Sequence, residues 1–295
     1  MRTFTEIPLT SDAPRYLPEA TEDLLTGRRA LRRAFMEMPY LAVGRDQAVV
    51  RNDGAAPPVF MLHRGIAYRS CTLPSGRRAI LDVLLPGDIG GIEHVVLRRP
   101  EEEIIAASAV GFRTMSAAAL RKLMAADPTV ALSVVGLMAE ARSRMDRHAA
   151  SVARLHARER IATLLLDVHD RLLRRGLIGR PTFNLPLTQE QMADYLGLTM
   201  VHVNRTLRQM RQEKLALIDH QVVIIMDLPG LREIVHGLPP LVDEAEPSLP
   251  LGLIWEPAMP RAAARPTGNG GKPDKSGSRL RLLKPLVPDA GGERF

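Results

Sequence analysis

The chain has 295 residues, 45% of them apolar and 25% charged, with a formal net charge of +7. That size and apolar content allow two packed units plus a tail and exclude a wholly disordered protein. The single cysteine, Cys71, excludes an intrachain disulfide or a multi-cysteine metal site and fits a reducing cytoplasm; no apolar run reaches the roughly 18 to 20 residues that a membrane helix needs.

The chain opens on MRTFTEIPLTSDAPRYLPEA, which has acids and prolines where a signal peptide would carry its apolar stretch, so residues 1–24 are expected to be an N-terminal extension. Residues 25–127 are expected to form a β-rich domain. From about 45 to 115 short apolar or alternating runs (QAVVR, PPVFMLHRGIAYRSCTL, RRAILDVLL, IIAASAVGFRTM) are broken by PSG and PGDIGG, the pattern of an antiparallel sandwich or barrel. LPSGR, Leu73 to Arg77, has the composition of a hairpin connection. Ser116 is placed to cap a following helix that Asp127 and Pro128 would end.

The strongest helix signal spans 128–156. Val134, Met138, Ala141, Met145, His148, Val152 and Leu155 step by 4, 3, 4, 3, 4 and 3, a heptad seam on which two parallel copies would zip together. The alternative is a helix lying on its own domain's core.

Residues 157–240 are expected to form a separate DNA-binding domain. The segment LTQEQMADYLGLTMVHVNRTLRQMRQEKL carries its chemistry. Thr188 and Gln191 make a capping box that starts a helix, Gly197 stops it, and Thr199 caps a second helix from Met200 to about Lys214. Ala193, Gly197 and Val203 supply the small residue, the turn and the apolar anchor of a helix-turn-helix. Val203, Leu207 and Met210 point inward on the second helix, whereas Val201, Asn204, Arg205 and Arg208 point outward. Asn suits adenine edges, Arg suits guanine, and Val packs on a thymine methyl. Residues 147–215 hold 12 basic against 6 acidic side chains, the balance a polyanion requires. A solvated helical hairpin is the other reading of the same face. ALIDHQVVIIMD then reads as a hairpin turning near Asp219 to Gln221, the wing of a winged helix.

The tail, residues 241–295, is rich in Gly, Pro, Ser and basic residues and is expected to be disordered. Its LGLIW run, Leu251 to Trp255, is a short apolar island.

In this order, a β-rich half, a dimer-type helix and a winged helix-turn-helix, the chain resembles the Crp/Fnr superfamily of bacterial transcription regulators over roughly residues 25–236. LPSGRRAILDVLLPGDIGG and LTQEQMADYLGLTMVHVNRTLRQMRQEKL carry the resemblance. It implies an α+β chain with a jelly-roll effector domain like those that bind cyclic nucleotides, a homodimer and a palindromic promoter site. By that likeness Val201, Asn204 and Arg205 occupy base-reading positions, and Thr188, Gln189 and Thr199 meet phosphate, as Arg208 is expected to do from its place on the helix. The implied partners are double-stranded DNA, a second copy, RNA polymerase and a small-molecule effector of unspecified identity.

The sensor half departs from the family's nucleotide cassette. Gly91-Ile92 falls where a Gly-Glu pair would hold ribose, and Glu102-Glu103 where Arg and Ser or Thr would hold phosphate, so cyclic AMP is not expected to bind. Cys71 stands alone where an oxygen sensor needs several cysteines, and His63, His94 and Met61 are weak haem-ligand candidates. No cofactor or metal is assigned. Two further readings stay open: a cupin-like enzyme with an appended helix-turn-helix, which lacks an H-x-H ligand frame, and a small-molecule-binding module that acts through protein partners.

Overall fold

The computed structural model describes residues 18–50, 57–97, 102–235 and 238. The expectations for residues 1–17 and for the tail with its LGLIW run lie outside them.

A helix that the sequence reading did not anticipate comes first. Helix α1 (Pro18–Met36) runs across the boundary expected at residue 24. Its inward residues Leu24, Leu31 and Phe35, spaced 7 and 4, are all buried. Gly27 is required where α1 crosses a later helix, because a Cβ there would stand 1.9 Å from the Thr129 carbonyl oxygen.

Eight strands follow: β1 (Tyr40–Val43), β2 (Ala48–Val50), β3 (Val59–Arg64), β4 (Ala67–Thr72), β5 (Arg78–Leu84), β6 (Ile89–Gly90), β7 (Glu102–Ala106) and β8 (Val110–Met115). They form two four-stranded antiparallel sheets, ordered β1-β8-β3-β6 and β2-β7-β4-β5. The LPSGR segment closes the β4–β5 hairpin, with the Leu73 amide donating to the Arg77 carbonyl at 2.8 Å.

Apart from the exposed edge strand β1, both sheets are largely covered on both faces, which explains why strands such as β3 read as nearly continuous apolar runs. On β3, Phe60 and Leu62 point between the sheets, where Phe60 meets Phe112 edge to face at 6.3 Å. Val59 and Met61 point outward onto α1. The outer face of the second sheet, including Tyr68 and Ile80, shares one core with the C-terminal half.

Ser116 caps α2 (Ala117–Ala126) by accepting from the Ala119 amide, and Asp127 caps α3 (Pro128–Arg154) by accepting from the Thr129 amide. The expected zipper seam divides on α3. Val134 is buried in the α1 core. The His148 ring stacks on Tyr195 at 4.1 Å, Val152 packs against Gly197, and Leu155 lies just past the helix end. Met138 and Met145 remain exposed and Ala141 is half-buried. The stripe left uncovered is therefore Val135, Met138, Arg142, Met145 and Ala149. It keeps the 3, 4 spacing but shifts every other position by one residue, because the chain's own core claims the positions the pattern had assigned outward.

The C-terminal half comprises α4 (Ala157–Arg174), β9 (Thr182–Asn184), α5 (Gln189–Leu196), α6 (Met200–Gln212), β10 (Ala216–Asp219), β11 (Val222–Ile225) and α7 (Leu228–Ile234). Strands β10 and β11 form the expected hairpin, and β9 adds an unforeseen third strand beside β11. The turn residues His220 and Gln221 both have positive φ, 46° and 70°, the left-handed pair that a tight two-residue hairpin demands.

An ionic joint fixes this half against the sheets. Buried Asp88, on the loop before β6, accepts from Arg175 Nη2 at 2.6 Å, from Arg171, and from the Leu85 amide at 2.7 Å. The same two arginines donate to the carbonyls of Val83 and Pro86. Burial alone would raise the Asp88 pKa, but Arg171, Arg175 and Arg144 outweigh it and hold the carboxyl well below the usual carboxylate range. A second contact ties Arg78 of β5 to Asp194 of α5 at 2.6 Å.

Candidate nucleic-acid interface

The two helices α5 and α6 are built by their caps. The Thr188 hydroxyl accepts from the Gln191 amide at 3.1 Å while Gln191 Oε1 accepts from the Thr188 amide at 2.9 Å, so two otherwise orphaned donors are satisfied reciprocally. Gly197 ends α5 at φ 63°, a left-handed geometry that costs glycine nothing. Thr199 then caps α6, its hydroxyl accepting from the His202 amide at 3.2 Å.

The faces of α6 separate cleanly. Val203 and Met210 are fully buried and Leu207 packs on the same core. On the opposite side Val201 is 70% exposed, Arg205 and Arg208 are exposed, and Asn204 is half-buried. These four share one open concavity with Met200, Gln209 and Gln212. Sequence reasoning did not select those last three, although Met200, Asn204 and Arg208 recur every fourth residue, which is one helix face. Gln189, in the first turn of α5, meets one member of this face: its Oε1 accepts from Asn204 Nδ2 at 3.0 Å. Among the described residues Arg205 and Arg208 make no hydrogen bond or ion pair, so both guanidinium groups are fully available. Thr188 and Thr199, although their oxygens accept from backbone amides, still carry a hydroxyl hydrogen each.

This arrangement presents an apolar contact, an amide and two forked cations on one rigid helix, with exposed helix N-termini beside them. Such a surface can read base edges and grip a phosphate backbone. The wing strand β11 is exposed at Val222 and Ile224.

In the β half, Ile92 and Glu102, two of the residues at the nucleotide-cassette positions, already have structural partners, whereas Glu103 is exposed. Ile92 is buried against α1 and its neighbours. Arg69 lies between Glu102, at 3.4 Å, and Glu93, at 3.9 Å. Met61 is core, and His63 lies against Tyr40 with its pKa lowered by burial and by Arg113. Among the described residues no three His, Cys, Asp or Glu side chains converge on a point that would hold a metal ion, and no helix is long and apolar enough to cross a membrane.

Residues 159–234 match the model of the Crp-like helix-turn-helix domain. Over 203 residues the chain is 31% identical to the transcriptional activator protein FnrL of Cereibacter sphaeroides, covering 66% of this chain and 79% of that protein. It is 29% identical over 166 residues to the nitrogen fixation regulation protein FixK of Rhizobium meliloti, covering 56% of this chain and 72% of that one. The fold is similar to that of FixK2 from Bradyrhizobium japonicum, with a TM-score of 0.60 at 23% identity over 68% of this chain and 99% of the other. The cupin-like reading and the module acting only through protein partners find no support in these likenesses. A paired-sheet domain, a long helix and a capped winged helix-turn-helix, joined to this extent of sequence identity, place the chain in the Crp/Fnr family of DNA-binding transcription regulators.

Proposed function

We propose that this regulator reads a palindromic promoter site as a homodimer, with Val201, Asn204 and Arg205 of α6 in the major groove. Thr188, Gln189, Thr199 and Arg208 grip the flanking backbone. The observation that carries this reading is the two-faced α6: Val203 and Met210 lock it to the core while Arg205 and Arg208 stand outward with no partner among the described residues. Arg205 lies nearer the helix N-terminus that enters the groove, where its planar fork meets guanine; Arg208 lies a turn farther along, beside phosphate.

The dimer forms along the exposed stripe of α3, Val135, Met138, Arg142, Met145 and Ala149, with a second copy of the same helix. An isologous pair of these stripes buries four apolar side chains per copy and brings Arg142 and Asp146, already an ion pair at 2.7 Å within one chain, near their own images. RNA polymerase is the partner through which promoter occupancy becomes a change in transcription. Any effector enters a sensor half in which Ile92 is committed to the core and Glu102 to Arg69, with carboxylates where a cyclic phosphate needs a cation, so cyclic AMP is not its ligand.

Selection from a pool of random duplexes by the full chain tests the reading: a palindromic consensus should emerge, with half-sites about 10 base pairs apart, and its affinity should fall steeply with salt. Binding without sequence preference would overturn it. Val135→Glu places two carboxylates in the paired stripe, so sedimentation should report a monomer that no longer holds the palindrome. An unchanged dimer would remove α3 from the interface.

A further inference from the structure

Gln189 touches Asn204, and the chemistry of that bond decides what Asn204 is able to read. An asparagine amide offers one acceptor oxygen and two N–H donors, and if free to rotate it presents either sense to a base. Here one of the Nδ2 hydrogens is committed to Gln189 Oε1 at 3.0 Å. That bond fixes both the plane and the sense of the amide. Oδ1 and the second N–H are left directed away from Gln189, and among the described residues neither has another partner. An acceptor beside a donor on one planar group matches adenine, whose N6–H donates and whose N7 accepts. The same bond leaves the two Nε2 hydrogens of Gln189 unused, at the first turn of α5, where the helix N-terminus favours an anionic oxygen.

We infer that Gln189 is a positioning residue for sequence recognition: through its oxygen it locks Asn204 in the sense that selects adenine, and through its amide nitrogen it donates to a backbone phosphate. The inference rests on the proposed placement of α6 in the major groove and adds to it. It couples backbone register to base choice, since a phosphate out of place withdraws Gln189 from Asn204.

The test uses the full chain and the duplex selected above, measured against the duplex with the Asn204-contacted base pair exchanged; Asn204→Ala identifies that pair as the one whose preference it erases. Gln189→Ala should reduce the ratio of the two affinities roughly 10-fold without shifting the unfolding midpoint, because Gln189 is exposed. Gln189→Glu keeps an acceptor for Asn204 Nδ2 but loses the phosphate donor and adds a repelling charge. It should weaken both duplexes alike while restoring the ratio. In the Asn204→Ala background, Gln189→Ala should leave the ratio unchanged. The inference is overturned if Gln189→Ala lowers both affinities equally, which makes it a phosphate contact alone, or if Gln189→Glu loses the ratio as the alanine does. If Asn204→Ala erases no preference at any base pair, the placement of α6 fails, and the role of Gln189 fails with it.

Discussion

Two arginine-rich regions of this molecule use the same side chain for opposite ends. At the joint between the sheets and α4, Arg171 and Arg175 are almost wholly buried, and their terminal guanidinium nitrogens donate to Asp88 and to the carbonyls of Val83 and Pro86. On α6, Arg205 and Arg208 lie in solvent with no partner among the described residues. A buried guanidinium must be matched within the protein or it destabilises the fold, so a matched arginine is a structural element. An exposed and unmatched one costs the fold nothing and keeps its whole hydrogen-bonding capacity for an outside anion. The contrast separates arginines matched inside the fold from arginines left open to an outside anion, and it yields mutations whose effects should not overlap.

The largest effect is expected at the joint. Asp88→Ala leaves Arg171 and Arg175 facing each other without the carboxylate and should destabilise the chain by about 3 to 5 kcal/mol in urea unfolding. Because Asp88 is held far below the usual carboxylate range, its contribution should persist from neutral pH down to about pH 4 and disappear only in stronger acid. A loss much under 1 kcal/mol would show that the joint is not what fixes the two halves together.

A nearby carboxylate should act with the opposite sign. Burial pushes the Asp167 pKa up to about 6 despite the opposing Arg147 and Arg171, with Asp170 adding to the rise. A folded-state pKa raised above the unfolded value of about 3.9 means that this group's stabilisation is complete below pH 4 and is lost as pH rises through 6. Asp167→Asn keeps an oxygen for the Arg147 Nε, 3.1 Å away, and should flatten the stability profile between about pH 4 and 6, a change of about 2 kcal/mol. An unaltered profile in that window would show that another group titrates there.

The exposed pair should leave unfolding unchanged and act only on DNA. Arg205→Ala should cost about 1 to 3 kcal/mol on the selected duplex and relax discrimination at one base pair per half-site. Arg208→Ala should weaken all duplexes alike and lower the salt dependence by about one unit. Equal losses on selected and scrambled duplexes for Arg205→Ala would transfer base reading to Asn204 and Val201.

Local features were the legible ones. The capping box at Thr188, the stop at Gly197, the cap at Thr199 and the hairpin turn at LPSGR all depend on residues within a few positions of one another, and each occurs in the structure where the pattern put it. The inward face of α6 was legible for the same reason. Helix α1 was not, because Gly27 and a run of arginines interrupt its apolar face, and that glycine makes sense only against the Thr129 carbonyl of a helix 100 residues away in sequence. The zipper seam failed at alternate positions for a related reason. A period of 3.5 identifies a stripe, but a rotation of one residue cannot be read from the pattern when two surfaces, the chain's own core and a second copy, compete for neighbouring faces of one helix.

By itself, then, the sequence determined the order of elements, the helix-turn-helix, and its outward Val201, Asn204, Arg205 and Arg208. These follow from backbone preference, capping and periodicity, which act over one or two turns. Only the tertiary structure decided that Asp88 serves as the anchor for Arg171 and Arg175, that His148 belongs to Tyr195, that Val135 and not Val134 faces outward, and that Gln189 holds Asn204. Each of those depends on groups that the chain's path, and not their spacing in sequence, brings together or leaves uncovered, so it is settled by packing and not by the identity of either residue.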